Sequence, residues 1–270
     1  MTDLWIAGLG VQTVGQVTRE VEQAIRASRE VLYLDTGAAT RPFLEGLCPR
    51  VTSLYEQSYA EEQPRVGAYD HMAITVVNAA LDNPPVTFAI HGHPLVAVQA
   101  PFLVLEMASA LELKAEVLPG ISGIDTVLAD LRIDPVVQGV QMYEATDLLL
   151  RRRPLLPDVP AIIWQIGPLE TALHTLRESR PERFHRFVAH LRRFYPATHE
   201  VAAIYCSPHP LLPPHILRFA LEDMPRHAAE IHAGFTLYVP PVGPRPVLDW
   251  DLAEKLTSVA HLRSITSDSP

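Results

Sequence analysis

Leu4-Trp5-Ile6-Ala7-Gly8-Leu9-Gly10 is an apolar run of strand length closed by a glycine turn. Val14, Val17, Val21, Ala24 and Ile25 then recur at the spacing of one helix face, and Val31-Leu32-Tyr33-Leu34 begins a second apolar run. Strand, glycine turn, helix and strand make a βαβ pattern, because parallel strands need a crossover, usually a helix, to bring the chain back. The pattern repeats. A helical stretch from Met72 to Leu81 leads into Val86-Thr87-Phe88-Ala89-Ile90, and another from Leu103 to Leu111 leads into Lys114-Ala115-Glu116-Val117-Leu118. Strictly alternating elements predict an α/β fold.

Two of these strands run straight into glycine-proline loops, His91-Gly92-His93-Pro94-Leu95-Val96 and Leu118-Pro119-Gly120-Ile121-Ser122. In open α/β sheets ligands bind outside the carboxyl ends of strands, where glycine lets backbone approach a ligand and proline stiffens the approach. The pair therefore marks a ligand cleft.

Between about 134 and 160 the pattern breaks at Pro135, Pro154, Pro157 and Pro160. Beyond it, Ala161-Ile162-Ile163-Trp164, Val201-Ala202-Ala203-Ile204-Tyr205 and Phe235-Thr236-Leu237-Tyr238-Val239 read as strands, with a helix from about Glu182 to Phe194 and a short one near Asp251 to Val259. The expected division is an N-terminal α/β domain over 1–140, a joint over 141–160, a C-terminal α/β domain over 161–241 and an extension over 242–270.

With 270 residues the chain can bury a proper core in one large or two modest domains. A formal charge of -9 argues against nucleic acid or an anionic membrane surface as partner. The densest basic run, Arg151-Arg152-Arg153, is followed by Pro154 and reads as a solvated helix end. The first residues reach Asp3 without the pattern of a secretory signal, and no apolar stretch approaches membrane-span length. Cys48 and Cys206 stand alone without Cys-x-x-Cys spacing, as expected of free thiols in a reducing cytoplasm.

Two familiar motifs fall short. Gly8, Gly10 and Gly15 with Asp35 resemble a dinucleotide fingerprint, but the third glycine comes two places late. His91-x-His93 could start a metal site, yet His174, His185, His190, His209, His215 and His232 are scattered without a second motif, so no metal is expected. Tyr55, Tyr59, Arg65 and Tyr69 form a further constellation. Pro64 and Gly67 place it in a loop leading into the Met72 helix. An arginine beside a phenol favours the phenolate and could make a base; equally, tyrosines and arginine pack at interfaces.

Gly8-Leu9-Gly10, the His91-Gly92-His93-Pro94 loop and the Leu118 to Ser122 loop resemble the tetrapyrrole methylase superfamily of S-adenosylmethionine (SAM) methyltransferases. Within it, three stretches are similar to the borosin peptide backbone α-N-methyltransferases. They are Ala129-Asp130-Leu131-x-Ile133-Asp134-Pro135, Tyr143-Glu144-Ala145-Thr146-Asp147-x-Leu149-x-Arg151-x-Arg153-Pro154, and Trp164-Gln165-Ile166-Gly167. The similarity covers about residues 4 to 241.

The resemblance implies two α/β domains with a cofactor cleft between them, SAM as methyl donor with S-adenosylhomocysteine as product, and an intertwined homodimer in which the region after Val242 wraps the partner. Fused members carry their own core peptide, whereas this chain stops after Ser269-Pro270. A split arrangement with a separate precursor peptide is therefore expected. By position the resemblance implies that His91, His93, Val96, Ala97, Ser122, Gln165, Ser207, Phe235 and Thr236 contact the cofactor, that Tyr59, Arg65, Tyr69 and His91 are catalytic, and that Tyr55 contacts substrate. His91 departs from the family, which usually has tyrosine there. An imidazole, with an ordinary pKa near 6.5, differs in charge behaviour from a phenol, so an altered rate or pH dependence is expected. The expected mechanism has Tyr69, activated by Arg65, taking the amide proton while Tyr59 and Arg65 hold the carbonyl oxygen. Two alternatives stand beside it: methylation of a tetrapyrrole or other small molecule, and a catalytically weak peptide-binding protein that keeps the cleft.

Overall fold

The computed structural model describes residues 2–267, so Ser269 and Pro270 lie outside the described residues. Its first half runs β1 (Leu4–Gly8), α1 (Arg19–Ala27), β2 (Glu30–Leu34), α2 (Thr40–Glu45), β3 (Val51–Ser53), α3 (Tyr55–Ser58), α4 (Arg65–Asp82), β4 (Val86–Ile90), α5 (Ala100–Ala110), β5 (Ala115–Leu118) and α6 (Gly123–Leu131). The strands form an all-parallel sheet in the order β3-β2-β4-β1-β5. All five residues of β4 are buried, as a central parallel strand covered on both faces requires.

After β1 the chain moves to β2 and β3 on one side, returns to place β4 beside β1, and then crosses to β5 on the other edge. The direction reverses at the β1–β4 pair, the crevice where open α/β sheets hold ligands. Gly8 pairs with Ile90, and Ala7 with Leu118, so the strand ends that feed both glycine-proline loops are level with each other.

The second half forms a mixed sheet, β6 (Gln141–Glu144), α7 (Ala145–Leu150), β7 (Ala161–Trp164), α8 (Glu182–Leu191), β8 (Glu200–Tyr205), β9 (His215–Ala220) and β10 (Thr236–Val239), ordered β6-β7-β10-β8-β9. Phe184, Phe187, Leu191, Phe235 and Leu237 fill the core on one face. On the other, Val127, Leu128 and Leu131 of α6 pack against Ile162, Ala202 and Ile204, which clamps a helix from the first half onto the second sheet. Among the described residues no helix is long and apolar enough to cross a membrane.

Three sequence expectations change. The joint over 141–160 carries β6 and α7, with Gln141 to Glu144 pairing in parallel with Ala161 to Trp164. Pro154, Pro157 and Pro160 fall between α7 and β7 rather than inside either. The loop expected around Tyr55 to Tyr69 is helical at both ends, because Pro64 sits just before α4, where a missing N–H costs nothing, and Gly67 costs its first turn only about 1 kcal/mol. The single helix near 251–259 is two, α9 (Trp250–Lys255) and α10 (Val259–Ile265), each started by its own cap, Asp249 and Ser258.

Candidate active site

The carboxyl ends of the first sheet face one edge of the second across a cleft of ≈ 320 Å³, within the range of small-molecule sites. The first sheet supplies Leu34 from the end of β2 and Ile90 through His93 and Val96 through Val98 from the loop after β4. Opposite stand Trp164-Gln165 at the end of β7, Ile204-Tyr205-Cys206 at the end of β8, and Ala233 to Thr236 leading into β10. Because β10 is antiparallel to β7 and β8, its start, Thr236, lies beside Ile204 at their ends. Three segments distant in sequence thus reach one wall.

Backbone contact fixes the first wall. A Cβ on Gly120 would lie 2.5 Å from the Gly92 carbonyl oxygen, and one on Gly8 would lie 2.6 Å from the Gly120 nitrogen, so three loops touch where no side chain fits. Gly10 and Gly92 also exchange backbone hydrogen bonds of 3.2 and 2.9 Å. The two walls are tied by Gln165 Nε2, which donates to the Ala97 carbonyl at 3.3 Å. Ala97 and Gln165 both hold left-handed backbone, φ +54° and +58°, which costs a non-glycine residue about 1–2 kcal/mol.

His93 Nδ1 accepts from the Leu95 N–H at 3.1 Å, so its Nε2 carries the proton. His91 Nδ1 lies 3.3 Å from Asp35 Oδ1. Asp35, placed at the ribose position of a dinucleotide fingerprint, spends its carboxylate on Thr13, Thr40, Gly37 and His91 instead. Burial pushes the Tyr205 phenol up, with Asp35 adding, and burial likewise pushes the Cys206 thiol up to about 12. Among the described residues no group of three or more His, Cys, Asp or Glu is arranged to hold a metal ion.

Next to the cleft the structure gathers Tyr55, Tyr59, Arg65 and Tyr69. Arg65 and Tyr69 stand four apart on one face of α4. The Tyr59 ring lies 5.0 Å from Tyr55 and 6.4 Å, edge on, from Tyr69. Leu34 and Val98, which line the cleft, pack in the same apolar cluster as Tyr59 and Tyr69. A strap after β7 closes the group: Arg65 N–H bonds the Ala172 carbonyl at 2.9 Å, its guanidinium donates to the Thr171 carbonyl at 2.7 Å, and His174 stacks on Tyr59 at 4.7 Å. Burial pushes the Tyr59 phenol far up; Tyr69 adds, and the opposing Arg65 does not offset it. Tyr59 is therefore a hydrogen-bond donor, not a phenolate.

A profile of the family described as Tetrapyrrole (Corrin/Porphyrin) Methylases matches residues 3–206. This chain belongs to the tetrapyrrole methylase family. A similar curated protein is the methyltransferase/ribosomally synthesized cyclic peptide gymnopeptides precursor gymMA1 of Gymnopus fusipes, 29% identical over 88% of this chain and 57% of that protein. Another is the methyltransferase/ribosomally synthesized type I borosin cyclic peptide precursor sveMA of Serendipita vermifera subsp. bescii, 31% identical over 73% of this chain and 48% of that one. The methylase thus spans about half the length of the curated relatives it matches. Among solved structures, the methyltransferase CobJ shares its fold with a TM-score of 0.63 and 18% identity, over 93% of this chain and 98% of that one.

Of the cofactor positions expected in this tetrapyrrole methylase, His91, His93, Val96, Ala97, Gln165, Phe235 and Thr236 line the cleft. Ser122 and Ser207 do not. The Ser122 hydroxyl caps α6, accepting from Ile124 and Asp125 N–H and donating to the Asp125 carboxylate at 2.8 Å. Ser207 is closed in a turn, its hydroxyl donating to the His209 carbonyl at 2.9 Å and accepting from the His209 N–H. Sequence reasoning missed Trp164 and Tyr205, although both end strands it had drawn, and strand ends are where lining residues arise. His174 had no local signal, since its contact with Tyr59 spans most of the first domain and the joint.

Proposed function

We propose that this tetrapyrrole methylase binds SAM in the cleft and methylates backbone amide nitrogens of a peptide supplied on a separate chain. The observation that carries the reading is the Tyr55, Tyr59, Arg65 and Tyr69 group, of which Tyr59 and Tyr69 share one apolar cluster with the cleft-lining Leu34 and Val98. The cleft suits SAM in its chemistry. Val96, Trp164 and Phe235 offer apolar faces, while His93 Nε2–H, Gln165 and Thr236 offer polar groups for a zwitterionic tail. Bound SAM would supply a methyl group already activated on a sulfonium.

The chain's own residues must solve a different problem. An amide nitrogen is a poor nucleophile because its lone pair is delocalised into the carbonyl. Acting as the phenolate, Tyr69 takes the amide proton and becomes the phenol, with the Arg65 charge on the same face of α4. Tyr59, kept protonated by burial, donates to the carbonyl oxygen as negative charge grows there, and Arg65 supports the same charge. His174 holds the Tyr59 ring by stacking, and Tyr55 meets the peptide beside it. The strap over residues 171–174, bonded to Arg65 and stacked on Tyr59, covers part of the group, and partial burial strengthens these interactions.

The homodimer belongs to the same proposal. Leu248, Trp250, Leu252, Leu256, Leu262 and Ile265 are exposed along the C-terminal helices, which supports the region after 242 lying on a second copy. Size-exclusion chromatography with light scattering tests it, and a monomer at working concentration would remove it.

Calorimetry with SAM and with the peptide encoded beside this gene, separately, followed by turnover with both, separates the readings. Binding of both and methylated product are expected. Binding of both without product would leave a peptide-binding protein, and SAM binding with turnover only on a tetrapyrrole would leave a small-molecule methylase. Within the enzyme, Tyr69→Phe and Arg65→Ala should keep SAM binding and lose most single-turnover rate; unchanged rates would remove the assigned base and its partner.

A further inference from the structure

Asp35 directly follows β2 with its side chain only 5% exposed, and no step above uses it. Thr13 and Thr40 hydroxyls donate to Oδ2 at 2.9 and 2.5 Å, and the Gly37 N–H donates to Oδ1 at 3.0 Å. These neutral donors satisfy its lone pairs but not its charge. Among the described residues neither lysine nor arginine pairs with it; the one partner able to carry charge is His91, with Nδ1 3.3 Å from Oδ1. Burial pushes the Asp35 carboxyl up, but His91, Thr40 and Gly37 outweigh burial and hold it well below the usual carboxylate range.

An ionised carboxylate can only accept hydrogen bonds, so the His91 Nδ1 beside it must carry a proton. A neutral imidazole has one N–H, which leaves the lone pair on Nε2, the ring nitrogen away from Asp35. His93 has the opposite arrangement, since its Nδ1 accepts from Leu95 N–H and its Nε2 must be the donor. Two imidazoles, alternate residues of one loop lining one cleft, therefore present opposite hydrogen-bond polarity to whatever lies between them.

We propose that Asp35 is a positioning residue that holds His91 with its Nδ1–H toward the carboxylate and its Nε2 as a hydrogen-bond acceptor in the cleft, while His93 serves as donor. The assignment rests on the reading of the cleft given above. The acceptor at His91 receives a donor of the bound peptide other than the N–H that Tyr69 deprotonates, and so seats the peptide in register.

Histidine-selective 15N labelling with long-range proton–nitrogen correlation reads the tautomers directly. In the wild-type protein His91 should be the Nδ1–H form and His93 the Nε2–H form. Asp35→Ala removes the oxygen that faces His91 Nδ1 and should release His91 toward the Nε2–H form that a free imidazole favours. Peptide turnover should then fall by about tenfold or more, with SAM affinity within about twofold. In a His91→Phe background, Asp35→Ala should add no further loss. Wild-type His91 in the Nε2–H form would overturn the proposal, and that spectrum decides the matter even if the variant does not fold. Equal losses from Asp35→Ala with and without His91 would also overturn it, by making Asp35 merely structural. If the tautomers behave as expected but no backbone methyl forms, Asp35 keeps its role and the proposed function fails.

Discussion

A single methyl group on Gly120 should disable the cleft while leaving its lining residues in place. The Cβ of Gly120→Ala would fall 2.5 Å from the Gly92 carbonyl oxygen and 2.7 Å from the Gly8 carbonyl carbon and oxygen, all backbone atoms at the ends of buried strands. Ordinary contact begins near 3.4 Å, so something must move by nearly an ångström, and no rotamer can relieve it. Overpacking of this kind costs about 1–3 kcal/mol. Gly8 ends a paired strand and Gly92 is bridged to Gly10, so relief must come from shifts of the Gly120 loop and of the loop bearing His91 and His93 together, which distorts the cleft wall. Carried into binding, that cost corresponds to a loss of about 5- to 150-fold in SAM affinity. Titration calorimetry with SAM, beside thermal melts, measures both halves of the argument. Gly15→Ala is the control, since a Cβ there meets nothing within 4 Å. A Gly120→Ala protein with wild-type melting temperature and SAM affinity would refute the claim that these three loops are locked by backbone contact.

Gln165→Ala removes the 3.3 Å bond to Ala97 that ties the walls and should weaken SAM binding by about two- to tenfold, measured by the same titration. Ser122→Ala loses the hydroxyl half of the α6 capping box, keeps the residue-122 N–H bond to the Asp125 carboxylate, and should cost about 1 kcal/mol of stability in denaturant unfolding, with SAM affinity within about twofold because that hydroxyl serves the helix. Cys206, pushed up to about 12 by burial with Asp130 beside it, stays a neutral thiol at pH 8. Its alkylation by iodoacetamide should be at least about a hundredfold slower than that of free cysteine and should keep rising past pH 10, where a thiol near 8.5 has levelled off. Ready alkylation at pH 8 would show that the thiol is not held as described.

The strands were legible because their physics is local. Val86 to Ile90 is apolar at every position but Thr87, and all five residues are buried. Once the strands were drawn, the loops after β4 and β5 followed, since ligand clefts form beyond strand ends. Prolines misled where they bracket elements instead of entering them: Pro154, Pro157 and Pro160 flag a break, yet β6 and α7 lie just before it. Ser122 reads as a cofactor contact, and the structure shows its hydroxyl capping α6; a serine opening a helix looks the same in sequence whether it serves a cap or a ligand. His174 and Asp35 were invisible for a different reason. The first acts through stacking on Tyr59 and the second through His91, contacts that arise only when the parallel strands and the strap over 171–174 are in place.

The central claim is that the methyl goes to backbone nitrogen. Incubating the protein with SAM carrying a deuterated methyl group and the peptide encoded beside its gene, then fragmenting the product by tandem mass spectrometry, locates the label residue by residue. The account predicts labelled methyl on amide nitrogens at residues whose side chains have no nucleophile, with Tyr69→Phe abolishing it. Label confined to side chains or to the peptide termini would contradict it.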